Sequence, residues 1–107
     1  MLFRSNNGNF SASDIFLSGL KDRERVTLLG TASSGGSARR NEHILPNSDL
    51  AVSLATLASF QARNSRLYDG VGIDPDLEME PEPEFFINQS DRILERAIEL
   101  IRASSGS

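Results

Sequence analysis

Val26-Thr27-Leu28-Leu29-Gly30 is the stretch on which the fold turns. It is a short, partly β-branched apolar run, closed by charge on one side and glycine on the other, so it reads as a buried strand. Immediately before it, Lys21-Asp22-Arg23-Glu24-Arg25 is a charged link. Before that, Ala12, Ile15, Phe16, Gly19 and Leu20 recur at helical spacing and predict an amphipathic helix with one apolar stripe. Ser11 or Ser13 suits the N-cap, and Asp14 lies in the first turn, where negative charge suits the helix dipole. Met1-Leu2-Phe3 reads as the stub of a further buried strand, and Asn6-Asn7-Gly8-Asn9 as a turn. Helix followed by strand across a short link points to a parallel sheet with helices packed on it.

Downstream, Thr31 to Asn41 reads as a loop containing Gly35, Gly36 and several small residues. Ile44-Leu45-Pro46 is expected as a brief strand and Asn47-Ser48-Asp49 as a turn. Leu50, Val52 and Leu54 alternate with small residues, so a half-buried strand is preferred over a helix spanning 51–62. Asp69 to Asp76 is turn-rich. Residues 78–89 alternate Glu with Pro at their start and read as a solvated, acidic linker inside a single domain of residues 1–107. A final helix is expected with Ser90 as its N-cap. Its apolar face is Ile93, Leu94, Ala97, Ile98 and Ile101, and its arginines and glutamates pair three apart. Ala103 to Ser107 reads as a frayed tail.

Composition removes several function classes. The 107 residues carry a net charge of −4 and no cysteine. Arg39-Arg40 is the one locally basic spot, so no nucleic-acid footprint is expected. Without cysteine there is no thiolate chemistry, disulfide or cysteine-bound zinc. No apolar run approaches the roughly 18 residues of a membrane span, and Met1 to Asn9 lacks the apolar stretch of a leader. The Gly-rich loop lacks the Gly-Lys-Ser/Thr ending of a phosphate-binding loop. Neither metal nor cofactor is expected.

Ser11 is the sharpest chemical candidate. A serine at a helix entrance sits beside backbone N–H groups that have no intrahelical partner, and an oxyanion formed there meets donors such as the N–H of Ala12. Capping is the plainer reading of the same position. A serine nucleophile also needs a base. The sole histidine is His43 and the sole lysine Lys21. Lys21 lies ten residues along the same helix, about 15 Å away at about 1.5 Å per residue, out of reach of the Ser11 hydroxyl.

Three blocks, in order, resemble the catalytic domain of the tail-specific (carboxy-terminal processing) serine peptidases and their tricorn-like relatives. The first is Phe10-Ser11-Ala12-Ser13-Asp14-Ile15-Phe16, similar to the family's nucleophile block. The second is Arg25-Val26-Thr27-Leu28-Leu29-Gly30-Thr31 with the Gly-rich loop after it. The third is Asp69-Gly70-Val71-Gly72-Ile73-Asp74-Pro75-Asp76. Asp91, Leu94, Ala97 and Ile101 follow the spacing of the family's closing helix. Order and spacing agree over nearly the whole chain.

The resemblance implies an α/β chain forming the C-terminal half of a ClpP/crotonase-like core, with short strands and two amphipathic helices packed on them. It makes Ser11 the nucleophile, Ala12 an oxyanion-hole donor, and Gly35 and Gly36 part of the substrate loop. Asp14 and Asp69 match family glutamates that support or join the catalytic set, each one methylene shorter. Gly36 stands where one branch of the family carries its lysine base. The other branch takes a histidine from an N-terminal segment, which would precede Met1. The resemblance therefore implies a piece of a serine endopeptidase, incomplete and inactive alone, that acts on peptide or protein substrates in the intact parent. It also points to an extracytoplasmic or periplasmic setting. The competing reading is a non-catalytic, self-associating or protein-binding module, because a divided core leaves apolar surface and open strand edges that favour homo-oligomers.

Overall fold

The computed structural model describes residues 1–88 and 90–106. In chain order the elements are β1 (Leu2–Ser5), α1 (Ala12–Leu20), β2 (Thr27–Gly30), β3 (Arg39–Ile44), β4 (Ala51–Leu57), β5 (Leu77–Glu78), α2 (Pro83–Asn88) and α3 (Arg92–Ser105).

β2 is the middle strand of a parallel sheet in the order β1-β2-β5. Its alternation sets the layers. Leu28 points to one face, where it packs with Leu17 of α1, Tyr68 and Ile73. Leu29 points to the other, against Ile93 and Ala97 of α3. Both leucines are 0% exposed, and burying such a side chain stabilises by about 1.5–3 kcal/mol each. α1 is the crossover between β1 and β2. The molecule is thus helix on sheet on helix, the α/β architecture expected from the sequence.

Close backbone contacts fix the ends of the sheet. Gly30 ends β2 with φ 127°, and a Cβ there would run into the Ser5 carbonyl oxygen. That same carbonyl accepts the Thr31 N–H at 3.1 Å. Where the chain enters β5, Asp76 accepts the Leu28 N–H at 2.8 Å and the Lys21 ammonium at 2.6 Å. The exit of α1 is thereby tied to the sheet.

Several local expectations need correction. The core face of α1 is Asp14, Leu17 and Ser18, while Ile15 and Phe16, read as part of the apolar stripe, are 57% and 55% exposed. A hydrogen-bonded carboxylate holds the core position, which a hydrophobic pattern does not count. β3 begins at Arg39, inside the stretch read as loop, and ends at Ile44 rather than starting there. β4 is a strand, as preferred, but every residue of the β3–β4 hairpin is exposed, so it is not half-buried. The alternation of Leu50, Val52 and Leu54 is real. It describes a hairpin face that meets no core among the described residues.

The segment read as a solvated linker carries structure. Glu78 pairs with Gly30 in β5, and Pro83 opens α2, at a position where the missing N–H costs nothing. Gln89, the last residue of that stretch, lies outside the described residues, as does Ser107 of the expected tail. Asp91, not Ser90, caps α3 by accepting the Leu94 N–H at 3.0 Å. The helix continues through Ser105, so Ala103 to Ser105 is not frayed. Arg96 and Glu99 pair three apart at 2.9 Å, whereas Arg92 turns to Glu82 at 3.0 Å. With α2, the helices number three among the described residues instead of two.

Candidate active site

The approach to α1 is held by asparagine turn chemistry. Asn6 Oδ1 accepts the Gly8 N–H at 2.9 Å, and Asn9 Oδ1 accepts the Asn6 N–H at 2.9 Å. Ser11 then occupies the N-cap position with φ 59° and ψ −113°, a conformation rarely adopted by a residue with a Cβ. Its hydroxyl makes no capping hydrogen bond and the residue is exposed. The capping role open to Ser11 from sequence is therefore not the role its side chain plays. Strained backbone of this kind costs about 1–3 kcal/mol and gathers at functional positions. Ala12 follows in the first turn, where no intrahelical carbonyl reaches its N–H.

Asp14 lies one turn further in and is 0% exposed. Its carboxylate accepts the Gly35 N–H at 3.0 Å and the Gly36 N–H at 2.9 Å. The Ser33 hydroxyl and the Ser11 N–H also hydrogen-bond to it. Burial by itself raises the pKa of the carboxyl, but these four donors outweigh it and hold the group below its ordinary 3.8. At neutral pH Asp14 is an ionised anchor. The N–H groups of Gly35 and Gly36 are turned into it, so the loop offers other atoms to solvent.

The segment after Asp69 meets the same loop from the other side. The neighbouring Gly70 N–H donates to the Gly35 carbonyl at 2.6 Å. The Ser33 N–H donates to the Ile73 carbonyl at 3.2 Å, and Ser33 Oγ accepts the Ile73 N–H at 2.8 Å. One carboxylate oxygen of Asp69 accepts the Ser59 N–H. Its other oxygen, Oδ1, is buried with no hydrogen-bond partner among the described residues, and Ser37 Oγ is in the same state. Two orphaned polar atoms on adjoining segments are costly unless something further pairs with them.

Neither candidate base joins Ser11. Lys21 is held by Asp76, and His43 is exposed on β3. The Phe10 ring fills the space into which a side chain at Gly36 would project. Beside Ala12 a cavity of about 410 Å³ opens, lined by Phe3, Phe16 and Leu17 among others, with Phe3 and Phe16 edge to face at 5.5 Å. A larger cleft, about 810 Å³, runs between Met1, Leu2 and the end of α3 and shares none of these residues. Among the described residues no group of His, Asp and Glu is placed to hold a metal ion, and no helix is long and apolar enough to cross a membrane.

Ser33, Ser37 and Phe10 are contributors that the sequence did not single out. Ser33 was one serine among several in a glycine-rich loop. Phe10 preceded the candidate nucleophile, but nothing in the sequence pairs it with Gly36.

Comparison with known proteins bears on this arrangement. The family model described as peptidase family S41 matches residues 5–79. A carboxy-terminal-processing protease of Bartonella bacilliformis is 34% identical over 80 residues, 74% of this chain and 18% of that protein. A putative peptidase from Parabacteroides merdae has 27% identity and a TM-score of 0.79, over 92% of this chain and 30% of the other. The tricorn protease shares the fold, with a TM-score of 0.82 and 21% identity over 99% of this chain and 10% of its own. The chain thus spans less than a third of the length of each relative.

Proposed function

The chain belongs to peptidase family S41, and from that premise we propose that Ser11 is the nucleophile of a serine peptidase acting on peptide or protein substrates. The Ser11 Oγ attacks the scissile carbonyl, and its proton passes to a base. The carbonyl oxygen, now an oxyanion, takes a hydrogen bond from the Ala12 N–H. Collapse of the tetrahedral species expels the amine and leaves an acyl-enzyme, which water then hydrolyses.

The observation that carries this reading is the backbone of Ser11, held at φ 59° and ψ −113° with its hydroxyl uncommitted. Asp14 acts as a positioning residue by binding the Ser11 N–H and the glycine loop together. The base is brought by a segment other than those described. The unpartnered Oδ1 of Asp69 supports that reading, because a carboxylate oxygen so placed is ready to receive a ring N–H. Without that segment the chain is inactive.

The test is labelling with a fluorophosphonate probe in rising concentrations of imidazole as a stand-in base, with the adduct located by mass spectrometry. Imidazole-dependent labelling at Ser11, lost in Ser11→Ala, is expected. Modification spread over other serines, or none at Ser11 at any imidazole concentration, would show that Ser11 is only a residue at a helix entrance.

A further inference from the structure

α3 presents two apolar stripes, and the sheet uses only one. Ile93 and Ala97 are buried against Leu29, with Leu100 packed beside them. Leu94, Ile98 and Ile101 form a second stripe roughly 100° around the helix, where they are 52%, 40% and 51% exposed. The flank of this stripe away from the sheet carries Glu95 and Arg102, seven residues apart and hence on the same side of the helix. The other charges of α3 are engaged: Arg92 with Glu82, and Arg96 with Glu99. Glu95 and Arg102 are in no ion pair among the described residues.

We infer that this stripe is a self-complementary docking face that takes α3 of a second copy of this chain, antiparallel, about a two-fold axis near Ile98 and Glu99. The charges choose both partner and direction. A parallel pairing puts the charged flanks of the two copies on opposite sides of the seam, where neither Glu95 nor Arg102 meets an opposite charge of the other helix. The antiparallel pairing sets each Glu95 opposite an Arg102, twice by symmetry. The same placement interleaves the apolar side chains. Along the seam the order is Leu94, the other copy's Ile101, Ile98, the other copy's Ile98, Ile101, and the other copy's Leu94. The two Ile98 side chains meet beside the axis, about 1.5 Å apart along the helices, and each Leu94 and Ile101 packs between residues of other positions. A helix of 14 residues gives a seam only about 21 Å long, so the association is at the weak end of specific interfaces.

Sedimentation of the full chain from micromolar to millimolar concentration tests this. A monomer–dimer equilibrium is expected. Ile98→Glu, a change at an exposed position, should weaken it at least about tenfold with the circular dichroism of the monomer unchanged. Glu95→Arg and Arg102→Glu should each weaken it, and the double variant Glu95→Arg/Arg102→Glu should restore it, because the reversed charges again face their opposites. A monomer throughout the range overturns the inference. So does a dimer indifferent to Ile98→Glu, or one in which the double charge reversal fails to restore what the single changes lose.

Discussion

The Phe10 ring lies over Gly36, in the space a side chain at position 36 would take. Phe10 is itself 60% exposed, so the ring has room to swing outward. Gly36→Ala should therefore cost about 1 kcal/mol rather than unfold the protein. Phe10→Ala/Gly36→Ala should be more stable than the sum of the two single changes allows. Urea denaturation of the four proteins in the cycle measures this. Additive losses would mean that the ring and the glycine do not compete for the same space.

Gly30→Ala should behave differently. The obstacle is the Ser5 carbonyl oxygen, part of the backbone of the neighbouring strand, and φ is 127°. Neither can yield without parting β1 from β2. A loss of about 3 kcal/mol or more is expected, seen as a fall in the denaturation midpoint with no rescue from Phe10→Ala.

Ser11 should be more stable as glycine. Ser11→Gly relieves the strain of a positive φ, less the greater freedom glycine brings to the unfolded chain. Relative to Ser11→Ala, which keeps the strain, it should gain about 1 kcal/mol in thermal or chemical unfolding. Both variants lose the hydroxyl. Equal stabilities would mean that the backbone at Ser11 is relaxed.

Acid should loosen the site at the glycine loop. The folded-state value of Asp14 lies below 3.8, so its contribution is complete above the ordinary carboxylate range and lost as pH falls through the depressed value. Asp91, also lowered, adds to the same trend: burial raises it, but the Leu94 N–H and the Arg4 guanidinium outweigh that. Stability should be flat from pH 7 to about 5 and fall below about 4. Asp14→Asn should lose about 1.5–3 kcal/mol at pH 7 and flatten the acid limb. An unchanged acid limb in Asp14→Asn would place the sensitivity elsewhere.

The sheet and its two helical layers were legible because Val26 to Gly30 is short, apolar and bounded, and a strand buried on both faces has that signature. The helix at residues 12–20 was legible too, but not its orientation. Asp14 at the core face is invisible to a hydrophobic pattern, since three of the four donors that satisfy it, Ser33, Gly35 and Gly36, lie far along the chain. The hairpin at residues 39–57 was legible only in part, for Arg39 and Arg40 have the composition of a loop. Ser11, Asp14 and Asp69 could be singled out by resemblance. What links them is the backbone of Ser33 to Gly36, whose small side chains carry no pattern.

Asp14 gathers donors from Ser11 beside it and from Ser33, Gly35 and Gly36 well downstream, while residues 68–73 must arrive to fasten that loop from its other side. During synthesis the first strand, helix and central strand emerge before either condition is met. The contacts that hold the Ser11 backbone are thus complete only once residues 33–36 and 68–73 have joined β1, α1 and β2. On the proposed reading of Ser11 as a nucleophile, its posture is completed by the whole fold and not by its own helix alone.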